Sequence, residues 1–111
     1  MRLVAACLVL LPFAVTAETI SGPARAVDGD TLVIQGVRVR LQNAHAPAVN
    51  QPGGAEATAA LRALVVEQLV TCHAKARDRY ARIVARCSVG ERDVGHTMVA
   101  AGLASRSAAR R

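Results

Sequence analysis

Between Leu69 and Val89, one pairing scheme meets three demands at once. Folding this stretch outward from Arg79-Tyr80 sets Cys72 opposite Cys87 and Ala76 opposite Ile83. Cys72, Ala74, Ala76, Ile83, Ala85 and Cys87 then share one face, and His73, Lys75, Arg77, Arg82 and Arg86 share the other. Side chains alternate along a strand, so a one-residue slip exchanges the faces and parts the cysteines. Apolar face, basic face and cysteine pair agree on one register, and that agreement predicts a β-hairpin.

Whether the cysteines bridge depends on the compartment. The chain opens MRLVAACLVLLPFAVTAET, with Arg2, an apolar run from Leu3 to Val15, and Val15-Thr16-Ala17 ahead of Glu18. This pattern predicts a signal peptide over residues 1–17, cleaved after Ala17. The run is too short to span a bilayer, so no stable membrane anchor is expected once the leader is removed. Val4-Ala5-Ala6-Cys7 resembles a lipoprotein box, but the apolar run continues well past Cys7. The product is expected in the periplasm or outside the cell. Two cysteines in an oxidising compartment read as a disulfide, Cys72–Cys87, rather than as a metal site.

With Arg2 set aside, 13 basic residues face 8 acidic ones, a net charge of +5, and twelve of the 13 are Arg. Guanidinium groups bind phosphate oxygens in pairs, which favours nucleic acid or another polyanion as partner. A solvated, arginine-rich surface explains the same charge, and charge alone does not choose between the two. Tyr80 is the one aromatic residue after the leader, which argues against a platform of several rings for stacking bases.

Ala26-Val27, a turn at Asp28-Gly29 and a strand from Asp30 to Ile34 form the first predicted hairpin. A second turn at Gln35-Gly36 leads into Val37, Val39 and Leu41, alternating with Arg38 and Arg40. That turn sets Thr31 opposite Arg40 and makes Asp30 a diagonal neighbour of Arg40, close enough to share a ligand. Asn43 to Gly54 is a loop. A helix over Ala55–Gln68 carries Ala57, Ala60, Leu61, Leu64 and Val65 on one face, without a Ser, Asp or Asn cap at its start. Asp93 is placed to cap a short helix over Val94–Ala101, with Met98 in the core and Gly102 at its end. His73 and His96 read as surface residues. Three strands, a helix, two strands and a helix fit an α+β, mainly β fold: a five-stranded OB-fold barrel with two short helices. One domain is expected over residues 18–104, followed by a basic tail at 105–111.

VDGDTL, VRL with a short loop and Pro47, GGAEA, DRYAR-IVA and MVAAGLA occur in this order. Together they resemble the staphylococcal-nuclease-like, or thermonuclease, family over roughly residues 25–104. The resemblance implies an OB barrel and, in active members, calcium-dependent cleavage of DNA and RNA. It implies that Asp30 holds the calcium, that Arg40 and Arg82 clamp the scissile phosphate, and that Tyr80 lies near the nucleotide. The family pattern continues after VRL with Asp-x-Pro-Glu, its Asp a second calcium ligand and its Glu the residue usually assigned as general base. Here that signature reads His45-Ala46-Pro47-Ala48, and Ala81 stands where DRYGR has Gly.

Calcium prefers six to eight oxygens, and Ala48 cannot accept a proton. Loss of a general base costs about 10²–10⁴-fold in rate. The expectation is therefore a domain that keeps its phosphate clamp, Arg40 and Arg82, while the metal-and-base half is damaged. Two other readings stand beside it. One is an active phosphodiesterase in which His45 serves as a base or, with Asp30, as a transition-metal ligand, or in which Asp28 or Glu56 substitutes as the acid. The other is a disulfide-braced interaction module.

Overall fold

The structure is a computed structural model that describes residues 18–80 and 82–106. The expected leader, Ala81 and the end of the basic tail lie outside those residues. The elements are β1 (Thr19–Asp28), β2 (Thr31–Ile34), β3 (Val37–Leu41), α1 (Gly54–Val65), β4 (Leu69–Arg77), β5 (Ile83–Val89), β6 (Arg92–Asp93) and α2 (Val94–Ala100). Five strands run in the order β3-β2-β1-β4-β5, and β3 pairs with β5 to close the barrel. The closing pair is parallel and the others are antiparallel. This is the five-stranded OB-fold barrel with two helices that the pattern predicts. The two-residue β6, which the pattern does not show, adds a short hairpin to β5.

β1 is longer than the predicted first strand at Ala26-Val27 and extends back through Gly22-Pro23 to Thr19. The strand serves two partners. Thr19–Pro23 pairs with β4, and Ala24–Asp28 pairs with β2. Gly22, at φ 152°, lies just before the change of partner. The first turn shifts by one residue: Gly29-Asp30 forms it, with Asp28 paired to Thr31, because β1 carries an irregularity between Ala26 and Asp28. Thr31 lies opposite Arg40, as expected.

In the β4–β5 hairpin Cys72 faces Cys87, and the two are bridged with Cα atoms 4.0 Å apart. The register holds to Ala74–Ala85 and then breaks. A bulge between Ala74 and Ala76 pairs Ala76 with Val84, not Ile83, and leaves Ala76 exposed. A bulge adds one unpaired residue, which simple counting from the hairpin tip cannot anticipate.

α1 starts from Gly53 in the left-handed region with no side-chain cap. It ends at Val65 rather than Gln68, because Val66 is extended and Glu67 takes φ 59°. Ala57, Leu61 and Val65 are buried as predicted, with Ala60 and Leu64 packed at the margin. α2 is capped by Asp93, whose side chain accepts from His96 N at 2.7 Å, and Met98 is core. Leu32, Ile34, Val39, Leu41, Val70 and Ala85 fill the barrel, and Leu61 with Val94 joins the helices to it.

Candidate functional site

Both acids of the DGD turn point at the loop that follows β3. Gly29 between them has no room for a side chain, since a Cβ there meets Ala57 Cβ at 2.5 Å and Ala46 Cβ at 2.8 Å. The turn is thereby wedged against α1 and the loop. Ala46 N donates to Asp30 Oδ2 at 3.0 Å, and Val49 N donates to Asp28 Oδ1 at 3.0 Å. On the far side of the loop, a Cβ at Gly54 meets Ala48 O at 1.6 Å. Asp28 is thus an anchor for the loop rather than an unengaged acid.

Asp30 is buried and well supplied with donors. Thr31 Oγ1 donates to its Oδ1 at 3.0 Å, and Arg40 Nη2 reaches its Oδ2 at 3.4 Å. The same Arg40 Nη2 donates to His45 Nδ1. Arginine has no lone pair to offer, so Nδ1 must be the acceptor, and a neutral ring carries its hydrogen on Nε2. Burial first, then the Arg40 charge, outweighs the pull of Asp30 and holds the His45 pKa below its ordinary value. The backbone also fixes the ring's position: His45 and Ser105 exchange N–H···O bonds of 2.8 Å in both directions. Ser105, the first residue of the predicted tail, is therefore tied to the fold.

Arg82 and Tyr80 belong to a second group at the β4–β5 turn. Asp78 Oδ1 accepts from Tyr80 N and Arg82 N at 2.9 Å each, and its Oδ2 accepts from Arg82 Nε at 2.6 Å. Burial pushes the Asp78 carboxyl up, but the Arg82 and Tyr80 N–H groups and the Arg82 charge outweigh it and hold the pKa below the usual value. The Tyr80 ring is exposed and has Arg82 at 5.5 Å and Arg79 at 5.9 Å from its centroid. Arg82 precedes β5 by one residue, and Arg40 pairs with Val84. Strand spacing and rise then put the two arginines roughly 8 Å apart at the Cα level.

The sequence-predicted residues thus fall into Asp30–Arg40–His45 and Tyr80–Arg82, on adjacent strands. Glu56 stays exposed in the first turn of α1 and lines a groove of about 520 Å³ with His45. Asp78 is the residue that sequence reasoning passed over. An Asp two residues before an exposed tip residue is the signal that finds it, since Asp side chains accept from nearby backbone N–H groups in turns.

A family model described as staphylococcal nuclease homologue matches residues 36–111. The chain belongs to this family. The succinoglycan biosynthesis protein ExoI of Rhizobium meliloti (strain 1021) is 34% identical over 89% of this chain and 58% of its own length. An uncharacterized endonuclease of Escherichia coli is 36% identical over 72% of this chain and 56% of its own length. The chain therefore spans little more than half of either relative. In this nuclease homologue the matched region opens at Gly36, and Asp30 precedes it. No described helix is long and apolar enough to cross a membrane. No group of three or more His, Cys, Asp or Glu able to hold a metal occurs among the described residues.

Proposed function

We propose that this nuclease homologue is an exported domain that binds nucleic acid or another phosphate-bearing anion, with little or no calcium-dependent hydrolysis. One observation carries the reading: Asp30 Oδ2 and His45 Nδ1 both accept from Arg40 Nη2. The two lone pairs that a metal would need converge instead on one guanidinium nitrogen. A hard cation needing six or more oxygens does not fit that donor set. His45 is also a poor substitute base, because Nδ1 is engaged and Nε2 of the neutral ring has no lone pair for a water proton.

Arg40 spends Nη2 on these contacts and keeps its other N–H donors for an anion. Arg82 spends Nε on Asp78 and keeps both terminal nitrogens, the edge that suits a phosphate. Family membership supports nucleic acid as that anion. The name of the E. coli relative favours a second reading, an active phosphodiesterase with a substituted metal or base.

Incubating purified protein with single-stranded DNA in calcium, magnesium, manganese and zinc separates the two. The expected result is salt-sensitive binding with no chelator-sensitive cleavage. Robust cleavage in any of the four metals, abolished by a chelator, would establish the second reading, and in calcium it would overturn the first outright.

A further inference from the structure

Val39 and Leu41 on β3, and Ile83, Ala85 and Cys87 on β5, are buried. Alternation therefore turns Arg38 and Arg40 outward on β3, and Arg82, Val84 and Arg86 outward along β5. Arg82 belongs to the turn that holds Asp78 and Tyr80. Arg86 lies about 13 Å further along the strand and pairs with His73 on β4. There it lines a cavity of about 220 Å³ with Asn43, His96, Val99 and Arg106. These residues come from the end of β3, from β5, from α2 and from the chain after α2. None of them belongs to the Asp30–Arg40–His45 or the Tyr80–Arg82 group.

Asp93 is the carboxylate beside this cavity, and both of its oxygens are engaged. Oδ1 accepts from His96 N at 2.7 Å and from Asn43 Nδ2 at 2.9 Å, and Oδ2 faces Arg86 Nε at 3.9 Å. A carboxylate on the Nε side steadies a guanidinium and leaves its two terminal nitrogens for another acceptor. Arg106 enters no ion pair among the described residues. Two guanidinium charges thus meet one carboxylate charge around the same small space, and the excess favours an anion there. A water takes about 30 Å³ in the liquid, so the cavity has room for a compact ion with a few waters. It is smaller than the roughly 300–1,000 Å³ of sites that take drug-sized ligands.

We propose that this cavity is a separate site for a small free oxyanion of the inorganic-phosphate type, bridged between Arg86 and Arg106. A phosphate dianion balances both guanidinium charges and presents oxygens to both, whereas a carboxylate brings one charge and two oxygens. The site stands apart from Arg40 and Arg82 and does not depend on the nucleic-acid reading. It also has a structural consequence. Arg106 directly follows Ser105, which exchanges backbone hydrogen bonds with His45. An ion that ties Arg106 to β5 holds Ser105 against His45 and so fastens the chain after α2 at a second point.

The test is an NMR titration of the purified, nitrogen-15-labelled protein with inorganic phosphate at constant ionic strength, and with acetate as the carboxylate arm. The amide signals of His96, Val99 and Arg106 are expected to shift saturably, at lower concentrations of phosphate than of acetate. Hydrogen exchange of the Ser105 N–H should slow as phosphate binds. Arg86→Gln with Arg106→Gln should weaken this phosphate binding about tenfold or more, the scale of a lost charge-assisted hydrogen bond. Arg25→Gln with Arg62→Gln removes the same charge from exposed positions on β1 and α1 and should leave it unchanged. Thermal melting of each variant confirms that it folds. Equal weakening in both pairs would overturn the site in favour of a net-charge effect. Shifts confined to the surroundings of Arg40 and Arg82 remove this site while the anion-binding reading stands. Acetate binding as tightly as phosphate overturns the phosphate assignment. Saturable shifts without slower exchange at Ser105 overturn the fastening of the chain after α2.

Discussion

Arg40 Nη2 serves two acceptors, Asp30 and His45, and this shared nitrogen governs what the site can do. His45→Asp with Ala48→Glu restores two carboxylates around the same position. Calcium-dependent cleavage should then rise by about 10²-fold or more, the scale of a recovered base. Arg40→Ala in that background should abolish the gain. A fluorogenic single-stranded substrate reads both effects, and a doubly substituted protein that stays inactive would show that these two positions do not by themselves decide cleavage. His45 also makes stability depend on pH. Its pKa in the fold is below the ordinary 6.5, so the unfolded chain takes up the proton first as pH falls. Stability is complete above that value and declines as pH drops through it toward the folded pKa. Melting temperatures between pH 7.5 and 5 should fall less for His45→Asn, whose amide oxygen still accepts from Arg40. An identical decline in both proteins would remove His45 as the cause.

Among the elements, the β4–β5 hairpin was the most legible. The alternation that predicted it arises because one face is buried, and register is strongly specified wherever that holds. The Cys72–Cys87 bridge closes a loop of sequence separation 15. Its removal by Cys72→Ala with Cys87→Ala should cost about 3 kcal/mol in the chain-entropy treatment, read as a lower urea midpoint. A loss under about 1 kcal/mol would mean that strand pairing alone holds the hairpin. The bulge beyond Ala74 was not legible, because which strand gains a residue depends on how the barrel curves. The loop over residues 45–49 is set in a similar way, between the DGD turn and the start of α1. At Gly54 an added methyl meets Ala48 O at 1.6 Å, a backbone atom that cannot rotate away. Gly54→Ala should therefore destabilise the protein by about 1–3 kcal/mol, measured by urea unfolding.

For the whole molecule, closure comes from β3 and β5, which are parallel and separated in sequence by α1 and β4. Closure sets the Arg40 cluster beside the Arg82 cluster, although the two are far apart along the chain. It also leaves one outward seam of arginines above a buried apolar lining. The basic start, the apolar run and Val15-Thr16-Ala17 predict that the exported protein begins at Glu18. N-terminal sequencing of secreted or periplasmic material checks this, and a lipidated Cys7 or a retained Met1 would contradict it.

Local regularity carried most of the fold. Alternation along β3 and β4–β5, the helical spacing of Ala57, Leu61 and Val65, and the Asp93 cap all follow from a periodic backbone beside one apolar core. The motif residues could likewise be named from their order along the chain. What they do to one another could not. A hydrogen bond between Arg40 and His45, the anchoring of Asp28 and Asp30 to loop amides, and the pairing of His45 with Ser105 depend on side-chain directions and on segments brought together from distant parts of the chain. Those distances are set by barrel closure and by the close approaches at Gly29 and Gly54, and packing in three dimensions has no counterpart in one-dimensional spacing.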